Sequence, residues 1–421
     1  MKMRTCLTLL VLLVAGHCNK VFIGDQVLRI NPESDEHVEL LQELEREQDW
    51  QLDFWLHPVS SELPVDIHVP YGSLTAVKEY LRENSIPFSV MINNLQELLD
   101  EEAAEMTESN DRERNSKSFN FGTYHKLETI YSWMDTLVAA YPTLVSKEQI
   151  GSSYENRPMY ALKFSTGGVK RPAIWIDAGI HSREWVSQAS AVWIANKIAS
   201  DYGNDGAVTN LLNAMDVYLM IVTNPDGYVH THTSDRMWRK TRSKNPGSTC
   251  RGVDPNRNWD AGFGGPGAST NPCSDAYHGP HAHSEVEVKN IVNLIKSHGN
   301  FKSFISIHAY SQLLMYPYGY TCNPIPHQAE LDAVGRAAVN ALSSLYGTRY
   351  KVGSICKIIY PASGGSIDWS YNLGIKHSFA FELRDTGRYG FMLPANQIIP
   401  TASETWLALK HLMMYTHEHP Y

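Results

Sequence analysis

From about Phe119 onward, apolar runs of strand length alternate with segments of helical period. RPMYALKFS (157–165), RPAIWIDAGI (171–180), DVYLMIVTNP (216–225), FKSFISIHAY (301–310) and KHSFAFEL (376–383) read as strands. WVSQASAVWIANKIASDY (185–202), EVEVKNIVNLIKSHG (285–299), QAELDAVGRAAVNALSSLY (328–346) and the segment after Pro400 read as helices. Strands apolar on both sides need cover on both faces. The alternation therefore predicts an α/β fold, a mixed central sheet flanked by helices.

A second, smaller unit precedes this one. VFIGDQVLRI, SDEHVELLQELER, DWQLDFWL, PVDIHVP, SLTAVKEYLREN and IPFSVMI, all within 21–92, follow the order β-α-β-β-α-β. That order specifies a small α+β, ferredoxin-like sandwich. An acidic amphipathic helix then ends in the basic pair Arg112 and Arg114. Residues 19–114 carry a net charge of −15 and residues 115–421 a net of +4, so the two units should attract. No basic patch is interleaved with aromatics, which argues against nucleic acid as a partner.

The N-terminus has a basic start, an apolar run from Leu7 to Ala15 and small or polar residues after it. It reads as a secretory signal over 1–18, too short to span a membrane. No later stretch is apolar enough for a span, so a secreted product without a membrane anchor is expected. Cys250, Cys273, Cys322 and Cys356 remain after the signal. An even set in an oxidising compartment implies two disulfides. Three pairings are open, and Cys250 with Cys273 is the first to consider.

Two of the strand-like runs stop at a histidine: His181, followed by Glu184, and His308. Reactive groups in open α/β sheets gather at the carboxyl ends of strands. Two imidazoles and a carboxylate form a catalytic zinc site with one position open to water. Such a hydrolase also needs a base and a cation for the developing oxyanion. Glu382 ends an apolar strand and suits the base, although a salt bridge to Arg384 is the plainer reading of it. Arg239 suits the cation. There is no His-Glu-x-x-His helix and no Gly-x-Ser-x-Gly elbow. Gly262 to Gly267 matches a dinucleotide fingerprint in letters only, since no strand precedes it.

These residues resemble the zinc metallocarboxypeptidases of the pancreatic A/B family. The hallmarks are His-Ser-Arg-Glu (181–184), Asn-Pro-Asp-Gly (224–227), Asp-Pro-Asn-Arg-Asn-Trp (254–259), Ser-Ile-His-Ala-Tyr (306–310), Ile-Tyr-Pro-Ala-Ser-Gly-Gly-Ser-Ile-Asp-Trp (359–369) and Phe-Glu-Leu-Arg-Asp-Thr-Gly (381–387). The resemblance implies one zinc ion on His181, Glu184 and His308, with Glu382 as general base and Arg239 as electrophile. It implies that Asn256, Arg257 and Tyr360 grip the free carboxylate of a peptide or protein C-terminus, with Arg183, Arg236 and Tyr310 contacting the substrate too. Ile367 stands where an acidic residue would select Lys or Arg, so aromatic or bulky apolar C-terminal residues are expected. Met315 and Ala380 line the same pocket and resemble the second A-type isoform, as do disulfides pairing Cys250 with Cys273 and Cys322 with Cys356. By the same resemblance, residues 19–114 are an activation segment that inhibits its own enzyme until a trypsin-like protease cuts near Arg114 or Lys117, and 115–421 is the catalytic domain. Ala309 and Pro361 depart from the commoner serine and glutamine, and Pro361 should stiffen the loop carrying Tyr360.

Overall fold

The computed structural model describes residues 19–421 apart from Gln48, Lys117 and the side chain of Ser116; the leader expected over 1–18 lies outside the described residues. In the first unit, strands β1 (Gln26–Ile30), β2 (Asp53–Leu56), β3 (Val65–Val69) and β4 (Phe88–Ile92) pair antiparallel in the order β2-β3-β1-β4. Helices Asp35–Arg46 and Leu74–Glu83 turn Leu41, Leu44, Val77 and Leu81 onto one face of this sheet. All five residues of β3 are buried: Val65, Ile67 and Val69 pack under the helices, while Asp66 bonds to Tyr310 of the second unit. This is the ferredoxin-like arrangement expected. Helix Leu95–Ser116 leads out of it.

The second unit holds β5 (Val145–Ser152), β6 (Pro158–Phe164), β7 (Ala173–Ala178), β8 (Asp216–Met220), β9 (Phe301–Ala309), β10 (Leu313–Tyr316), β11 (Lys351–Ser354) and β12 (His377–Leu383). Their order is β11-β10-β12-β9-β7-β8-β6-β5. The sheet is mixed: β8, β7, β9 and β12 run parallel, whereas β6 and β10 oppose their neighbours toward the centre. Alternation sorts the side chains. Ile174 and Ile176 join the core under helices Trp185–Asp201 and Ile398–Glu418, while Trp175 joins Ile291 and Trp369 on the opposite face. Both faces are covered, as the apolar runs require.

The third run is shorter than its hydropathy suggests. β8 stops at Met220, and Pro225 begins helix Pro225–Thr233, capped by Asn224 Oδ1 on the Gly227 amide at 2.9 Å. Both disulfides, Cys250–Cys273 and Cys322–Cys356, are formed.

Candidate metal centre and cleft

Strand register assembles the site. β7, β9 and β12 are parallel neighbours, and Ile307 lies level with Ala178 on one side and Phe381 on the other. One residue further, His308 faces Glu382 across the ladder. Beyond β7 the chain swings through Gly179, whose φ is +67° and whose absent Cβ would stand 2.6 Å from the Gln188 side chain. Only glycine fits there, and the turn delivers His181. Glu184 occupies the cap position of helix Trp185–Asp201 but makes no cap hydrogen bond. Its carboxylate turns to the imidazoles instead.

Glu184 Oε1 lies 2.7 Å from His181 Nδ1, and Oε2 lies 3.2 Å from His308 Nδ1. The two Nδ1 atoms are 3.2 Å apart. All three side chains are buried, and among the described residues no other group of His, Cys, Asp and Glu converges this way. Two imidazole nitrogens and one carboxylate are a donor set that fits zinc. Behind His181, Asp254 Oδ1 stands 3.1 Å from Nε2, which takes the ring proton and leaves Nδ1 with its lone pair toward the other donors. Asp254 Oδ2 accepts from Arg239 Nη2 at 2.9 Å. Burial alone would raise the Asp254 carboxyl, but Arg239 and His181 hold it well below the usual range.

Burial pushes the Glu382 carboxyl up to about 8, with repulsion from Glu184 adding to the shift and His308, Arg239 and Arg257 opposing it. The plainer reading, a bridge to Arg384, is not what forms: Arg384 Nε pairs with Glu404 Oε1 at 2.7 Å.

A cavity of about 310 Å³ opens onto this centre. His181, Glu184, Arg239, Asn256, Arg257, His308, Tyr310, Met315, Tyr360, Ile367, Ala380 and Glu382 all line it, so the structure brings these expected residues together. Arg183 and Arg236 are not among them. Arg183 Nη1 sits 2.9 and 3.0 Å from the two Asp53 oxygens, and Arg236 grips Glu102 at 2.7 and 3.0 Å. The first unit also places Asp66 2.6 Å from Tyr310 Oη and the His57 ring 5.6 Å from that of Tyr360. With Trp55 and Leu56 it roofs the cavity. Asp254 thus supports both His181 and Arg239, a role that the motif Asp-Pro-Asn-Arg-Asn-Trp does not by itself reveal.

Residues 130–408 match the family model described as zinc carboxypeptidase, and residues 28–102 match the carboxypeptidase activation peptide. The chain belongs to the zinc carboxypeptidases. It is 61% identical to carboxypeptidase A2 of Mus musculus over 96% of this chain and 97% of that one. It is 60% identical to carboxypeptidase A1 of Homo sapiens over 100% of both. Among solved structures, thrombin activatable fibrinolysis inhibitor superposes with a TM-score of 0.87 at 38% identity, covering 94% of this chain and 100% of that one. Carboxypeptidase A from Helicoverpa armigera gives 0.85 at 26% identity over 95% and 99%. The chain is therefore a zinc metallocarboxypeptidase in zymogen form, with its activation peptide seated on the cleft.

Proposed function

We propose that the mature enzyme, residues 115–421, removes single aromatic or bulky apolar residues from peptide C-termini, and that residues 19–114 silence it until a trypsin-like protease cuts near Arg114. The observation that carries this reading is the position of Arg257 and Tyr360 in the same cavity as the three donors, with Arg257 Nη2 3.0 Å from Tyr360 Oη. A guanidinium forks onto a carboxylate, and an internal peptide bond presents no such anion. Asn256 spends its side-chain oxygen on the Ser366 amide at 2.9 Å, leaving its N–H₂ for the same carboxylate.

His181, Glu184 and His308 would hold the zinc, which when bound polarises the last peptide carbonyl and acidifies a water. Glu382 takes a proton from the attacking water and delivers it to the leaving amine. Burial raises this carboxyl above the ordinary range, which makes it a stronger proton acceptor once ionised. Arg239, fixed by Asp254, stabilises the oxyanion. Met315, Ile367 and Ala380 offer the departing side chain an uncharged pocket wall. Release of Asp53, Glu102 and Asp66 would return Arg183, Arg236 and Tyr310 to the substrate. Arg112 and Arg114 are exposed near the end of helix Leu95–Ser116, which suits proteolysis. A leader over 1–18 would direct secretion, and among the described residues no helix is long and apolar enough to cross a membrane.

The test is a peptide panel differing only in the last residue, given to trypsin-treated protein with and without chelator. Release of terminal Phe and Trp, lost on chelation or on amidating the C-terminus, is expected. Equal rates on terminal Lys and Phe would overturn the pocket assignment.

A further inference from the structure

The Nε2 atom of His181 meets the Asp254 carboxylate directly, whereas Nε2 of His308 meets a hydroxyl on its own strand. His308 Nε2 lies 3.1 Å from Ser306 Oγ, two residues back on the same face of β9. Ser306 is level with Asp177 on the neighbouring strand β7, and its hydroxyl donates to Asp177 Oδ1 at 2.6 Å. The other oxygen, Oδ2, accepts from Trp175 Nε1 at 2.7 Å, again from two residues back on one face. Asp177, Ser306 and His308 are at most 2% exposed.

With Asp177 ionised, the directions of these bonds are fixed. Trp175 Nε1 only donates, and the Ser306 proton is spent on Asp177, so Ser306 Oγ accepts from His308. His308 Nε2 therefore carries the proton, and Nδ1 keeps its lone pair toward Glu184 and His181. Among the described residues no lysine or arginine pairs with Asp177. Burial pushes its carboxyl up, and the bonds from Ser306 and Trp175 draw it back. A carboxylate buried without a cation is costly, and an adjacent metal ion would offset that cost.

We propose that Ser306 and Asp177 are positioning residues for the metal: a two-bond relay through the sheet that fixes the tautomer and ring orientation of His308. The relay moves no proton; it holds one on Nε2. The inference rests on His308 being a zinc ligand.

The full-length zymogen carries the test. Zinc affinity is read by competition with a chromophoric chelator, cobalt(II) in place of zinc reports ligand geometry by visible absorption, and melting of the metal-free protein checks each fold. Ser306→Ala should weaken zinc binding about 10–100-fold and alter the cobalt spectrum. Asp177→Asn should cost a similar factor, and should cost nothing further in the Ser306→Ala background, where the relay is already cut. A folded Ser306→Ala with unchanged affinity and spectrum overturns the proposal, and so do losses that multiply in the double variant. Should Asp177→Asn not fold, Ser306→Ala decides alone. His308→Ala separates the two claims: if it keeps full zinc affinity, the ligand assignment itself is wrong.

Discussion

At the scale of single residues, Glu382 and Ile367 make the sharpest claims. Glu382→Gln removes the proton carrier and leaves the donor set untouched, so kcat should fall by about 10²–10⁴-fold while zinc content stays at one per chain. The sign of the pH dependence follows from the same carboxyl. It must be ionised before attack, so kcat/KM should fall as pH drops through its pKa, which the bound dication pulls below the metal-free value of about 8. A pH–rate profile measures this; a rate that rises on acidification contradicts the base assignment. Ile367→Asp puts an unpaired carboxylate in an apolar wall, where a substrate cation would answer it and a phenyl ring would not. Terminal Phe should lose on the order of 100-fold in kcat/KM, and terminal Arg should gain. A polar residue is most legible in sequence where an apolar run stops, and His181, Glu184, His308 and Glu382 all stand at or just past such a stop. Asp254, Asp177 and Ser306 are not legible in this way, because their partners come from register and turn geometry that no short stretch of chain encodes.

At the scale of elements, β2 meets the turn after β7 through Asp53 and Arg183. Burial would raise the Asp53 carboxyl, but Arg183 and His68 hold it down to about 2. A depressed carboxyl contributes docking stability that is full above its ordinary value of 3.8 and is lost as pH falls toward 2. The activation segment, once severed, should therefore dissociate more readily at pH 3 than at pH 6, which size-exclusion of the nicked protein detects. Asp53→Ala leaves Arg183 buried without this partner and should cost about 3 kcal/mol of docking, read as faster appearance of activity after the cut. The elements themselves were largely legible. Helix Trp185–Asp201 and the strands at the sheet centre announced themselves by hydropathy. β5 did not, because an edge strand of sequence VSKEQIGS has too little apolar alternation, and β10 and β11, of four residues each, are too short to carry a period. Helix Leu127–Ala140 is also poorly marked in the sequence, since its Ile130, Trp133, Met134 and Leu137 stripe follows Lys126, which makes no side-chain cap bond.

At the scale of the whole molecule, the charge asymmetry between units resolves into specific pairs, Asp53 with Arg183 and Glu102 with Arg236. The disulfides act on the catalytic unit alone. Cys250 and Cys273 stand 23 positions apart, so replacing both by serine should cost about 3 kcal/mol of stability in a denaturant melt of the mature enzyme. The most direct test of the central claim is diffraction from zymogen crystals at the zinc absorption edge. One anomalous peak, about 2.0–2.2 Å from His181 Nδ1, His308 Nδ1 and a Glu184 oxygen, is the predicted result. A peak bound elsewhere, or none at those three side chains, would contradict it.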